Sequence, residues 1–168
     1  MKPLTSPSPG ITSPSLVIDE LEDLLNKGNA HASFDEAVKD VPHDLLGQVP
    51  DGLPYSIWQL VEHIRIAQWD VLEFCRNTHH KNLEWPNDYW PKQPAPLHAG
   101  DWKKSIAQIH ADRAAFIELL HQAGDGLFIP FVHGDGQSLF REALVIADHT
   151  SYHTGEIILL RRLLGNWR

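Results

Sequence analysis

Apolar residues recur at three- and four-residue steps in four segments of the chain, with polar residues between them. This period places the apolar side chains on one face of a helix, so each segment predicts an amphipathic α-helix. Four long helices with few convincing strands predict an all-α protein, a four-helix bundle. The predicted helices cover residues 16–41, 57–77, 101–123 and 138–164.

Local signals mark several of the boundaries. Ser56 followed by Gln59 three residues later is a capping-box pattern, which predicts a sharp start for the second helix. Gly28 and Asn29 interrupt the first segment, so we expect a kink or a break there. The connection over residues 125–137 is expected to hold a small extended turn or hairpin.

The segment between the second and third helices, residues 78–100, is a long loop rich in proline and tryptophan. Loops of this length in a compact domain are usually functional covers or disordered. Trp85, Tyr89 and Trp90 favour a packed cover, and we expect the tryptophans to roof a pocket and exclude water. The prolines are too closely spaced for a helix or a central strand; they are Pro86, Pro91, Pro94 and Pro96.

Residues 1–15 are rich in Ser and Pro and lack the apolar stretch of a secretory signal. We expect a disordered leader there, followed by a single domain over residues 16–168. No run of about 18 apolar residues occurs, so no transmembrane helix is expected. The single cysteine, Cys75, builds neither a disulfide framework nor a Cys-type zinc finger. A cytoplasmic protein is therefore the expectation.

The chain has 14 Lys and Arg residues against 22 Asp and Glu residues, a formal net charge of −8. An acidic surface repels phosphate backbones, so we expect no nucleic-acid partner. The composition is otherwise ordinary for a globular protein, apart from 11 histidines and 6 tryptophans. The histidines carry the candidate chemistry.

His149 and His153 lie four residues apart in the fourth helix, so both side chains project from one helix face. His63 lies on the apolar side of the second helix, one turn after Leu60. Inward-facing side chains of two helices meet in the middle of a bundle, so these three histidines predict a metal site. Three imidazoles leave coordination positions open, which is typical of a catalytic metal rather than a structural one.

Acidic residues near these histidines are candidates to act beside the metal. Glu156 follows His153 by three residues, and we expect it either to orient a ligand histidine or to act as a general base. Asp148 is the weaker candidate, because it points about a quarter-turn away on the same helix. Asp70, two turns after His63, is expected to line the same cavity.

Other catalytic motifs are missing from the sequence: there is no His-Glu-x-x-His, no Gly-x-Ser-x-Gly and no P-loop. A di-iron bundle needs two Glu-x-x-His pairs, and the chain has one, Glu118 with His121. Cys75 lies in an apolar run and is expected to be a buried packing residue rather than a nucleophile. His79 and His80 lie in a polar loop and are expected to be solvated.

Two segments resemble the DinB-like (DinB/YfiT) superfamily of four-helix metal proteins. Residues 56–63, SIWQLVEH, are similar to the family's entry to its second helix, and residues 148–157, DHTSYHTGEI, to its His-x-x-x-His-x-Gly-[Gln/Glu]-Ile run. The resemblance spans residues 16–164 and implies a homodimer. It also implies one divalent ion, typically nickel, zinc or iron, bound by His63, His149 and His153.

Members of this superfamily include S-transferases and isomerases that use low-molecular-weight thiols, and many others are regarded as metal-dependent hydrolases. The resemblance therefore implies a small-molecule substrate and either hydrolysis or S-transfer. Two alternatives stay open: a non-catalytic metal-binding bundle, such as a stress-related binding protein, and a metal-free bundle with an apolar ligand pocket. No clamp for an anionic thiol is evident, because we expect the nearest arginines to face water; these are Arg65, Arg141, Arg161 and Arg162.

Overall fold

A computed structural model describes residues 14–167 of the chain. Over these residues the regular structure is helical, and the strand-like pairing amounts to one bridge between Pro130 and Ser138. None of the described helices is long and apolar enough to cross a membrane. The helices are α1 (Pro14–Lys27), α2 (Phe34–Val38), α3 (Ile57–Arg76), α4 (Asp101–Ala123) and α5 (Leu139–Leu163), with 3-10 turns at His43–Leu45 and Gly124–Phe128.

Four of these helices, α1, α3, α4 and α5, pack as a bundle, which confirms the predicted all-α fold. The predicted leader falls outside the described residues except for Pro14 and Ser15, which lie in the first turn of α1. The expected hairpin before α5 consists of the 3-10 turn and the single bridge.

The first predicted segment, residues 16–41, is two helices in the structure, separated at the expected interruption. Gly28 and Asn29 take positive φ angles of 66° and 46°. These left-handed conformations stop a right-handed helix, and the expected interruption is therefore a complete break. Ser33 and Glu36 then form a reciprocal capping box that starts α2 in a new direction.

Arg161 joins α2 to α5. Its side chain is buried, and Nη1 donates hydrogen bonds to the backbone carbonyls of Ala37 (2.8 Å) and Lys39 (2.9 Å). These carbonyls lie at the C-terminal end of α2, where no further helical turn satisfies them. The expectation that Arg161 faces water was wrong, because a guanidinium with several donors is the side chain that best satisfies such a helix end.

The core consists of two clusters of buried apolar side chains along the bundle. Ile64 of α3 and Ile157 of α5 belong to one cluster, and Leu72 and Ile146 belong to the other. Residues 149–153 of α5 lie between these two sets, so inward-facing side chains there are held by apolar packing on both sides. The middle of the α3–α5 contact is therefore the place where buried polar side chains can be positioned rigidly.

The loop over residues 78–100, called the strap below, runs antiparallel to α3 along one of its faces. At the start of α3, Ser56 and Gln59 form the predicted capping box, with both cap hydrogen bonds at 3.1 Å. The same two side chains also reach the strap. The Ser56 hydroxyl donates to the carbonyl of Pro94, and the Gln59 amide donates to the carbonyl of Pro91 at 3.1 Å.

The far end of the strap is attached to α3 through Asp70. The Tyr89 hydroxyl donates to one carboxylate oxygen at 2.6 Å, and His80 Nε2 lies 2.7 Å from the other. The His80 side chain is only 7% exposed, so the expectation that it is solvated was wrong. Contacts at both ends make the strap a packed cover, as the sequence predicts, rather than a free loop.

Ser56 gives a test of this coupling between helix cap and strap. Replacement of Ser56 by Ala should lower the free energy of unfolding by about 1–2 kcal/mol, because it removes an N-cap acceptor. It also removes the donor to the strap. Chemical denaturation measures the change, and Ser56→Thr, which keeps the hydroxyl, is the control. A Ser56→Ala chain as stable as the unsubstituted chain would contradict the assignment.

Candidate metal centre

The structure brings His63 of α3 together with His149 and His153 of α5. His63 and His153 are 2% and 7% exposed, and His149 is partly buried. The ring centroids lie 4.5–4.8 Å apart in all three pairs. One ligand nitrogen from each ring lies within 4.8 Å of the others, so this group could hold a metal ion.

His63 is oriented by the strap. Its Nδ1 lies 3.0 Å from the backbone carbonyl of Tyr89. A carbonyl only accepts, so Nδ1 carries the hydrogen and donates it. In the neutral ring Nε2 then has a free lone pair, and this is the nitrogen that faces His149.

His153 is oriented in the same way by its own helix. Its Nδ1 lies 2.6 Å from a carboxylate oxygen of Glu156, three residues later on α5. A carboxylate accepts the Nδ1 hydrogen, which leaves Nε2 as the lone-pair nitrogen. Glu156 therefore contacts the ring on the side away from Nε2.

His149 completes the cluster. Its Nε2 lies 3.0 Å from Nε2 of His63. Two nitrogen lone pairs repel at this distance, so either a proton or a cation must lie between them. Burial lowers the pKa of His149 to about 3, with smaller contributions from His153 and His63, and burial also lowers the pKa of His63. Both rings are therefore neutral at pH 7, the form that binds metal.

An aromatic stack fixes the ring plane of His63. The Trp90 indole lies flat on the imidazole, with centroids 3.8 Å apart and planes within 8°. Tyr55 stacks on the opposite face of the same indole with the same separation and tilt. Trp85 lies edge-on to His63 at 6.3 Å and is 66% exposed. Trp90 thus packs directly on the cluster, whereas Trp85 lies at its margin.

A cavity of about 290 Å³ adjoins the cluster, with His63 and His149 in its wall. Asp70 lines the same cavity, as the sequence predicts. Asp148 is exposed and makes no hydrogen bond to the three histidines in the described structure, so the prediction that it could orient a ligand histidine was wrong. It projects from another face of α5.

Several contacts at the site could not be read from the sequence. Tyr55, Tyr89 and His80 lie in loops without periodicity, and each contacts the site or Asp70 only because the strap folds back on α3. The aromatic composition of the strap was the one available signal. Cys75 is partly buried, and burial raises the pKa of its thiol to about 12, so it does not act as a nucleophile at neutral pH.

The chain matches the model of a known protein family. The family model described as the DinB superfamily matches residues 29–157, about three quarters of the chain. This span includes all three histidines and the whole strap. No curated protein and no solved structure matches the chain.

The histidine cluster makes a direct prediction for metal binding. Replacement of His153 by Ala should abolish stoichiometric binding of a divalent metal, because two imidazoles remain and one face of the site is open. His79→Ala is the matched control, since His79 is exposed and outside the cluster. Elemental analysis of protein purified without an affinity tag measures the metal. One equivalent of metal in the His153→Ala chain would contradict the assignment.

Proposed function

The chain belongs to the DinB superfamily, and on that basis we propose that it is a metal-dependent enzyme acting on a small molecule. In this proposal His63, His149 and His153 hold one divalent transition metal, either nickel, zinc or iron. Imidazole nitrogens suit all three of these metals. Hydrolysis and S-transfer are the two reaction classes that the proposal covers.

One observation carries the proposal: three imidazoles converge beside a cavity. Because Nδ1 of His63 and Nδ1 of His153 are already engaged, Nε2 of both rings is a lone-pair donor. Three ligands next to an open cavity leave room for an exogenous ligand, which a closed structural site does not. The chemistry that such a metal supplies is to make water or a small thiol nucleophilic at neutral pH.

The protein residues around the cluster have separate tasks in this proposal. The Tyr89 carbonyl and the Glu156 carboxylate hold the Nδ1 hydrogens of His63 and His153, which fixes each ring and its tautomer. Trp90 keeps water away from one face of His63. We assign Glu156 a positioning role rather than that of a general base, because its contact is on the far side of the His153 ring.

A substrate screen tests the proposal. Protein purified without an affinity tag is analysed for metal and then assayed against hydrolysable substrates and against pairs of thiols and electrophiles. We expect saturable turnover that a chelator removes and that the same metal restores. The control is His153→Ala, which should be inactive. A metal whose coordination positions are all filled by protein, seen by X-ray absorption spectroscopy, would instead support the non-catalytic alternative.

Glu156 gives a narrower test of the positioning role. Replacement of Glu156 by Ala should weaken metal affinity by about 10- to 100-fold, because the His153 ring loses its hydrogen-bond acceptor. Glu156→Gln keeps a neutral hydrogen-bond acceptor, so its metal affinity should fall by less. Competition with a chromophoric chelator measures the affinity. Asp148→Asn, an exposed carboxylate on the same helix, is the control, and equal effects of Glu156→Ala and this control would refute the assignment.

A further inference from the structure

The cavity beside the histidine cluster has walls that restrict what it can bind. Most of the wall is apolar: part is aliphatic, from Ala67, Val71, Val145 and Ile146, and part is aromatic, from Trp85 and Tyr89. Besides the two histidines and Asp70, its polar side chains are the uncharged Gln68 and Thr150. Such a lining favours an apolar ligand, because burial of apolar surface is the main source of binding free energy in a pocket.

The charged side chains near the wall also favour an uncharged ligand. Among the described residues, no Lys or Arg lines this cavity, and its one carboxylate is Asp70. Both oxygens of Asp70 are engaged, by Tyr89 and by His80. A carboxylate or phosphate on a part of the substrate that does not bind the metal would therefore lose its hydration without gaining a cationic side chain as a partner, and it would meet the negative charge of Asp70.

Three of the four arginines nearest in sequence are engaged in other contacts, and the fourth, Arg162, is exposed and does not line the cavity. Arg65 pairs with Glu62 at 2.8 Å, and Arg161 is buried against the end of α2. Arg141 pairs with Glu142 and is exposed. None of the three lines the cavity. A thiol cofactor that carries carboxylates would therefore find no counter-charge from these arginines in this cavity.

The size of the cavity limits the substrate further. Its volume is about 290 Å³. A dry cavity of about 150 Å³ holds one benzene molecule. The space beside the cluster therefore suits a molecule about the size of two fused aromatic rings.

We propose that this cavity selects an uncharged, largely apolar small molecule as the substrate. The inference rests on the proposed function, and it narrows the substrate class for either of the two reactions.

A matched pair of ligands tests the selectivity without an activity assay. 1-Naphthamide and 1-naphthoate have the same shape and differ in charge. Titration calorimetry compares their binding to the full-length chain, both with one equivalent of zinc and after removal of metal. In the metal-free chain, the carboxylate of naphthoate cannot bind directly to zinc. We expect the amide to bind the metal-free chain at least 10-fold more tightly than the carboxylate, and equal affinities would overturn the inference.

Two lysine substitutions locate the selectivity in this cavity. Val145 lines the cavity and is 39% exposed, so Val145→Lys adds a cation to the wall without burying it completely. Leu144→Lys is the matched control, because Leu144 is 42% exposed on the same helix and does not line this cavity. We expect Val145→Lys alone to raise naphthoate affinity, by at least 5-fold. The same response from both variants would contradict the proposed location.

Trp85 provides a second check. Trp85→Ala should weaken naphthamide binding, whereas Leu97→Ala, an exposed change in the same strap, should not.

Metal content measured on each preparation separates the proposed metal-dependent enzyme from the proposed selectivity of the cavity. A chain that prefers the amide but never binds metal would refute the proposed enzyme and leave the selectivity intact. A metal-binding chain without the preference would refute only the selectivity.

Discussion

The hydrogen bonds from one face of α3 to the strap are the interaction on which the site depends. Ser56, Gln59 and His63 each donate to a backbone carbonyl of the strap. The strap is rich in proline, which has no backbone hydrogen to donate but keeps its carbonyl as an acceptor. Side-chain donors on the helix therefore attach a segment that cannot form a regular ladder of its own.

This attachment explains why the buried His63 ring has one defined orientation and one tautomer, with the lone pair on Nε2. The Tyr89 carbonyl takes the Nδ1 hydrogen of His63, and the Trp90 ring prevents the imidazole from tilting. Nε2 of His63 and Nε2 of His149 lie 3.0 Å apart, a distance at which two facing lone pairs repel. A cation between the rings would remove that repulsion, because each lone pair would then have a partner.

Among the described residues, no Lys or Arg side chain lines the cavity, because the nearby arginines are used elsewhere. Arg161 is used to satisfy the carbonyls at the end of α2, and Arg65 is paired with a neighbour on its own helix. Asp70, the cavity's carboxylate, holds the strap through Tyr89 and His80. The same contacts that close the cover over the cluster thus also set the polarity of the space beneath it.

Local patterns alone determined the helices, because a helix forms from interactions within about four residues. The sequence therefore predicted α3, α4 and α5, the Ser56–Gln59 cap and the shared face of His149 and His153. Tertiary structure alone decided the tautomer of His63 and the polarity of the cavity. Those depend on groups that lie far along the chain, such as the carbonyl of Tyr89, 26 residues from His63. The His153 tautomer is a local matter, because Glu156 follows three residues later on the same helix. Gly28 and Asn29 likewise marked the break after α1 in the sequence, whereas the packing of α2 on α5 under Arg161 is tertiary.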